Sequence, residues 1–183
     1  MDYESRDMKI LVNEITESPR EVNFSERMDE LNRIDAESKV RDFSFPPFLD
    51  VSFVYYRSGQ ELFFQGWFSG AIEGCCGRCL KKYSFPVEKK FDFVLIPSPN
   101  SAKSGELNRG EMGLSFYASE EIDLSPFIRE QVLLALPMRP LCEASCRGLC
   151  PSCGINLNGE ACVCISPSGD PRMAFFRSLK LDQ

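Results

Sequence analysis

The chain contains no histidine in its 183 residues. That absence excludes Ser-His and Cys-His catalysis, mixed Cys/His zinc fingers, the His-Glu-x-x-His metalloprotease and imidazole pH switching. Long apolar runs are missing as well. The longest, Val132–Met138, has seven residues, far short of the ~20 that a membrane helix needs. The opening residues Met1-Asp2-Tyr3-Glu4-Ser5-Arg6-Asp7 show neither a basic leader nor an apolar segment, so no secretory signal is read, and a cytoplasmic location without a membrane partner is expected. There is no Gly-rich phosphate loop, and the carboxylates Glu120, Glu121 and Asp123 are better explained by a helix start. No enzyme, catalytic residue or small-molecule substrate is therefore expected.

What is present is globular. Hydrophobic residues make up 43% and charged residues 26%, which argues against fibrous or wholly disordered chains. The length suits one domain able to bury a core without help from a metal. The net charge of −6 is unevenly placed: residues 1–50 carry 13 acidic and 7 basic side chains, and the rest of the chain is balanced. Within the balanced part, Arg78, Lys81, Lys82, Lys89 and Lys90 stand against only Glu73 and Glu88 between Ile72 and Phe91. Such a local excess can attract phosphate even on an acidic protein, or form an ordinary solvated strand face.

Along the chain, Lys9–Val12 reads as a short strand and Ser18–Ser38 as a loosely helical polar segment with Val22, Met28, Leu31 and Ile34 as its apolar positions. From Arg41 to Ile96 the period becomes two. Val51, Phe53 and Tyr55 alternate with their neighbours, Ser58-Gly59-Gln60 turns the chain, and Leu62–Phe68 returns. Tyr83, Phe85, Val87, Phe91, Phe93 and Leu95 then occupy odd positions, with Lys89 as the exception, so one strand face is buried and an antiparallel meander is expected. Pro86 needs an edge or a bulge. Pro97–Gly113 reads as an exposed loop and Leu114–Tyr117 as a short strand. A helix begins at Asp123, with Ile122 packing against Phe127 as a staple, and stops before Pro137; a last one begins at Asp170-Pro171.

Cysteine is the conspicuous residue. Of nine, six lie between Cys142 and Cys164, and the others are Cys75, Cys76 and Cys79. In a reducing compartment such clustering points to metal before disulfides. Cys150-Pro151-Ser152-Cys153-Gly154 is the most specific motif: two thiolates separated by two residues reach one tetrahedral ion from a tight turn, and Gly154 supplies the positive φ that lets the chain leave it. Cys76-Gly77-Arg78-Cys79 is a second such turn, between strands. Eight cysteines make two sites of four, and two pairings are open. One groups Cys150, Cys153, Cys162 and Cys164, leaving Cys76, Cys79, Cys142 and Cys146; the other pairs the two Cys-x-x-Cys turns with each other, as zinc ribbons do. Cys75 is left as a spare thiol. Two structural zinc ions suit closed thiolate tetrahedra, against the competing readings of an iron–sulfur cluster, disulfides or a redox Cys76/Cys79 pair.

Glu121–Leu124 leading into Val132–Pro137, followed by Cys146-Arg147-Gly148-Leu149-Cys150-Pro151-Ser152-Cys153-Gly154-Ile155-Asn156-Leu157-Asn158, resembles the YceD-like family, the large ribosomal RNA subunit accumulation proteins. The turn Cys76-x-x-Cys79-Leu80 and the segment Asp170–Leu179 fit the same family, although the doubled Cys75-Cys76 departs from its pattern. The fold expected is α+β: an antiparallel, partly barrel-like β-meander with packed helices and a cysteine-rich zinc-binding segment. One domain over 1–183 is expected to divide into an acidic strand/helix segment (1–40), sheet plus helix (41–141), a cysteine-rich zinc knuckle (142–166) and a C-terminal helix (167–183). The resemblance implies ribosome biogenesis: a non-enzymatic factor that supports large-subunit rRNA accumulation or processing and contacts rRNA or a ribosomal protein. Arg78, Lys81, Lys82, Lys89 and Lys90 are the candidate phosphate contacts. The competing readings are an adaptor whose acidic N-terminal segment meets a basic protein and acts on RNA indirectly, and, disfavoured by the missing histidine and phosphate loop, a redox or nuclease enzyme.

Overall fold

A computed structural model describes residues 8–37, 42–98 and 114–164. The helix expected from Asp170 lies outside the described residues, as do residues 99–113 of the expected loop. The frame is a hairpin of two long strands, β4 (Phe48–Ser58) and β5 (Glu61–Cys75), continued by β6 (Lys82–Pro97). Ser58 pairs with Glu61 across Gly59, whose φ of 61° supplies the left-handed step that a two-residue hairpin turn requires. β2 (Arg20–Arg27) pairs antiparallel with β4, and β3 (Phe43–Ser44) pairs with the far end of β5. β7 (Leu114–Tyr117) runs parallel to the end of β6. A separate two-stranded sheet joins β1 (Lys9–Leu11) to β8 (Glu121–Asp123). The helices are α1 (Asp29–Glu37) and α2 (Ser125–Ala135).

Three expectations are corrected here. The sheet closes no barrel: its path runs β2-β4-β5-β6-β7, and its end strands are not paired with each other among the described residues. It is not a pure meander either, because β7 is parallel to β6, a pairing that requires the chain to cross over between them. Finally, the segment expected to be loosely helical from Ser18 is a strand through Arg27 and helical only from Asp29. Val22, Phe24 and Glu26 share the core-side face of that strand opposite Phe53, Val51 and Leu49. The third inward position is a carboxylate, so the apolar alternation that would have announced a strand is interrupted. In α1, Leu31 is buried and Ile34 is exposed.

The core is aromatic. Phe53, Phe64 and Phe68 are fully buried, and Phe53 meets Phe91 edge-on at 5.5 Å and Phe93 at 6.1 Å. Phe93 stacks on Phe127 of α2 at 4.6 Å, which fixes the helix to the sheet. Asp123 Oδ1 accepts from Ser125 N at 2.9 Å in the first turn of α2. Ile122 sits in β8 opposite Ile10, which gives it a partner across a strand pair. The helix ends at Ala135, before Pro137. Pro86 faces Ala71 where β6 has no neighbour on its other side among the described residues, consistent with its missing donor.

Phe91 lies over Gly66, where any Cβ would overlap its ring. Gly66→Ala is expected to cost about 1–3 kcal/mol through displacement of that ring, read from the urea unfolding midpoint; an unchanged midpoint would mean that the ring yields freely.

Beneath the sheet, Glu26 is 2% exposed. It accepts from Ser125 Oγ at 3.1 Å and pairs with Arg129 at 3.2 Å, while Arg129 also pairs with Glu30. One network thus joins β2, α1 and α2. Burial pushes the Glu26 carboxyl above its ordinary value of 4.5, with Asp123 adding to the rise and Ser125 and Arg129 opposing it. The folded state therefore holds this proton more tightly than the unfolded chain. Its contribution to stability is full below pH 4.5 and is lost as pH rises through the raised value. Chemical denaturation across that window is expected to show stability falling with pH in the wild type, and Glu26→Gln should remove this component of the slope.

Candidate metal centres

The two Cys-x-x-Cys turns are built alike. In the first, between β5 and β6, Cys76 N donates to Lys81 O at 2.9 Å and Leu80 N donates to Cys76 O at 2.9 Å. In the second, Cys150 N donates to Ile155 O at 2.8 Å and Gly154 N donates to Cys150 O at 2.9 Å. The residue after each second cysteine is left-handed, with φ of 59° at Leu80 and 74° at Gly154. Glycine adopts that conformation without strain; leucine pays about 1–2 kcal/mol for it. Leu80 is also 64% exposed, so no burial of its side chain offsets the strain.

Each turn meets a second cysteine pair. Gly77 N donates to Pro140 O at 2.8 Å, which draws the segment after α2 against the first turn. Arg78 then donates from Nη1 to Cys146 O at 2.8 Å. The result is an inner tetrad of Cys76, Cys79, Cys142 and Cys146, with Sγ–Sγ distances of 3.8 Å for Cys76 and Cys146 and 3.7 Å for Cys79 and Cys142. An outer tetrad gathers Cys150, Cys153, Cys162 and Cys164, with 3.6 Å between Cys153 and Cys162 and 3.3 Å between Cys150 and Cys162. Within each group the four sulfurs lie within 4.8 Å of one another. A tetrahedron with ~2.3 Å metal–sulfur bonds has edges of about 3.8 Å. These donor sets therefore fit a metal ion, and of the two open pairings the structure assembles the one that keeps the Cys150 turn with its downstream pair. All nine cysteines are unbridged.

Electrostatics make the same point. Burial opposes ionisation of Cys76, but the amides of Cys142, Cys79 and Arg78 outweigh it and bring the thiol to about 6. At Cys150 the amides of Cys153 and Ser152 dominate, again giving about 6. Cys142 is pushed up to about 12 by burial and by its sulfur neighbours, and Cys164 to about 12 by Cys153 and Cys162. Each tetrad thus favours an anionic sulfur at its turn and resists accumulating more. A bound cation removes that resistance, since all four thiols deprotonate as they ligate. The tetrads differ in access: Cys76, Cys79 and Cys146 are buried, whereas Cys153 and Cys164 are exposed.

Cys75 belongs to neither tetrad. It ends β5 with its Sγ 3.3 Å from Leu80 O. The five basic candidates are not gathered on one surface. Arg78, Lys81 and Lys82 cluster at the first turn, although the Arg78 guanidinium is already bonded to Cys146 O. Lys89 and Lys90 lie seven and eight residues beyond Lys82, which puts Lys89 about 23 Å along the strand, and they project to opposite faces opposite Phe68 and Trp67. Asn158 escaped the sequence reading: its Nδ2 donates to Cys146 Sγ at 3.3 Å. The signal available was two asparagines, Asn156 and Asn158, in the short loop between cysteine pairs, where such side chains bind backbone.

The fold and its sites define an α+β protein with two four-sulfur centres capable of holding metal. The chain belongs to the family described as large ribosomal RNA subunit accumulation protein YceD, whose family model matches residues 64–180. It is 42% identical over 148 residues to the chloroplastic large ribosomal RNA subunit accumulation protein YCED homolog 1 of Arabidopsis thaliana, covering 68% of this chain and 46% of that protein. It is 31% identical over 115 residues to an uncharacterized protein of Mycobacterium tuberculosis, covering 61% of this chain and 53% of that one. The chain thus spans about half the length of these curated relatives. No solved structure matches it. No helix among the described residues is long and apolar enough to cross a membrane.

Elemental analysis of reduced protein purified without chelator is expected to find two metal ions per chain, with Cys79→Ser and Cys153→Ser each losing one. Full retention of metal by either variant would remove that tetrad from consideration as a site.

Proposed function

We propose that the chain supports accumulation of large-subunit rRNA as a non-enzymatic assembly factor of the cytoplasm. It binds rRNA directly, and two zinc ions brace the surface that does so. The observation that carries this reading is the family match over residues 64–180, which takes in both tetrads and the first turn with its basic neighbours. Zinc is the metal of choice because closed all-thiolate tetrahedra suit it and leave no open coordination position for a substrate. The chain has no histidine to serve as a base beside the cages, and in them the Cys76 and Cys150 thiolates act as ligands rather than as nucleophiles.

Direct contact with RNA is favoured over the adaptor reading by how the N-terminal acids are used. Glu26 is buried against Arg129 and Ser125, Glu30 and Asp29 pair with Arg129 and Arg27, and Asp50 accepts from Ser25. Lys81 and Lys82 are exposed beside the first turn. A rigid metal-braced turn holds such side chains in register with phosphates, a positioning contact that carries no sequence information.

Binding to a large-subunit rRNA fragment is expected to weaken steeply with salt. In Lys81→Ala/Lys82→Ala the slope of log K against log salt should fall by roughly 2, about one per lost phosphate contact. Salt-independent binding, or co-purification of a ribosomal protein that is lost when residues 1–40 are deleted, would favour the adaptor.

A further inference from the structure

Only Arg147, Gly148 and Leu149 separate Cys146 of the inner tetrad from Cys150 of the outer one. That short link is held on both sides. Leu149 N donates to Arg78 O at 3.2 Å, tying it to the first turn, and Leu157 N donates to Gly148 O at 2.9 Å, tying it to the outer loop. Gly148 is left-handed at φ 75°, and a Cβ there would stand 3.1 Å from Arg78 O, so the close approach needs glycine. Leu149 and Asn156 form an isolated β-bridge across the same point.

Asn158 sits between Cys153 and Cys162, inside the segment that an outer metal would clamp. Its amide reaches out of that tetrad and donates to Cys146 Sγ, a sulfur of the other, which is 2% exposed. Asn158 is held by three further bonds, two of them to its side chain. Arg147 N donates to its Oδ1 at 2.7 Å, and Asn156 Oδ1 accepts from both its backbone N at 3.0 Å and its Nδ2 at 2.8 Å. A donor aimed at a ligating sulfur stabilises its thiolate form, and such supporting contacts typically matter 10–100-fold in metal affinity.

We propose that the two tetrads load as a cooperative pair, with Asn158 carrying the occupancy of the outer site to Cys146 of the inner one. This rests on the metal-binding reading above. A metal at Cys150, Cys153, Cys162 and Cys164 fixes the loop and so prepays the ordering of Asn158, and the inner site then gains a positioned donor at no further entropic cost. Linkage makes the effect reciprocal: an inner metal strengthens the outer site by the same factor. Asn158 is thus a positioning residue, not a ligand. Because Cys153 and Cys164 are exposed while most of the inner tetrad is buried, depletion begins at the outer site and is felt at the inner one.

The test is titration of the reduced, metal-free full-length chain with Co2+ alone, followed by the sulfur-to-cobalt charge-transfer absorption. The wild type is expected to fill two sites in one steep transition. Asn158→Ala keeps all eight sulfurs and should split this into two separate one-ion transitions, the inner weakened about 10–100-fold. Cys153→Ser should weaken the inner site by a similar factor in the wild-type background and add little in the Asn158→Ala background. Two independent sites in the wild type, or an equal effect of Cys153→Ser in both backgrounds, overturns the coupling while leaving metal binding intact. No Co2+ uptake at all overturns both.

Discussion

Four sulfurs brought to within a few ångströms of one another cannot all carry charge unless something positive sits among them, and the lower half of this molecule is organised by that constraint. Backbone amides prepare one sulfur in each group, Cys76 and Cys150, for the anionic state, while Cys142 and Cys164 resist it. The sheet is packed by side chains of another kind. Its aromatic interior, centred on Phe53, Phe91 and Phe93, is continuous with α2 through Phe127. The division is between a scaffold held by apolar burial and an appendage held by sulfur and hydrogen bonds.

The two halves meet at the end of the β5–β6 hairpin. Cys76 and Cys79 belong to the hairpin, Cys142 and Cys146 to the segment that leaves α2, and Arg78 and Gly77 bind that segment through Cys146 O and Pro140 O. A turn on a long, paired hairpin is a firm platform, because β5 and β6 are paired from Leu62 with Leu95 to Cys75 with Lys82. Lys81 and Lys82 inherit that firmness. Arg78, an exposed residue, also donates from Nη1 to Cys146 O and so supports the site.

Much of this was legible in the residues. The period-two rows of β4 and β6, the Ser58-Gly59-Gln60 turn, the end of α2 before Pro137 and the grouping of the downstream cysteines were each signalled locally, by alternation, glycine, proline or spacing. What stayed hidden depended on distant partners. β2 was masked by Glu26, a carboxylate where the pattern wanted an apolar residue, and only Arg129 and Ser125, about a hundred residues later, make its burial tolerable. The parallel direction of β7 and the openness of the sheet are facts of topology that no local period encodes. Leu80 adopts the conformation that glycine marks in the second turn, so its left-handed step had no compositional signal. Asn158 binds Cys146 through folding of the loop, and its sequence neighbourhood announces only a turn.

The tetrads also differ in the lengths of chain they enclose. Contacts in the outer one span 9 and 12 residues, whereas those in the inner one span 63 and 70. Closing the longer span costs roughly 1.5 kcal/mol more in chain entropy. As the polypeptide emerges from the ribosome, the sulfurs of the hairpin must wait, unpartnered, until α2 and the residues after it have been made. The outer group can collect its four sulfurs as soon as Cys164 is made, so of the two sites the one completed later is the one that can organise faster.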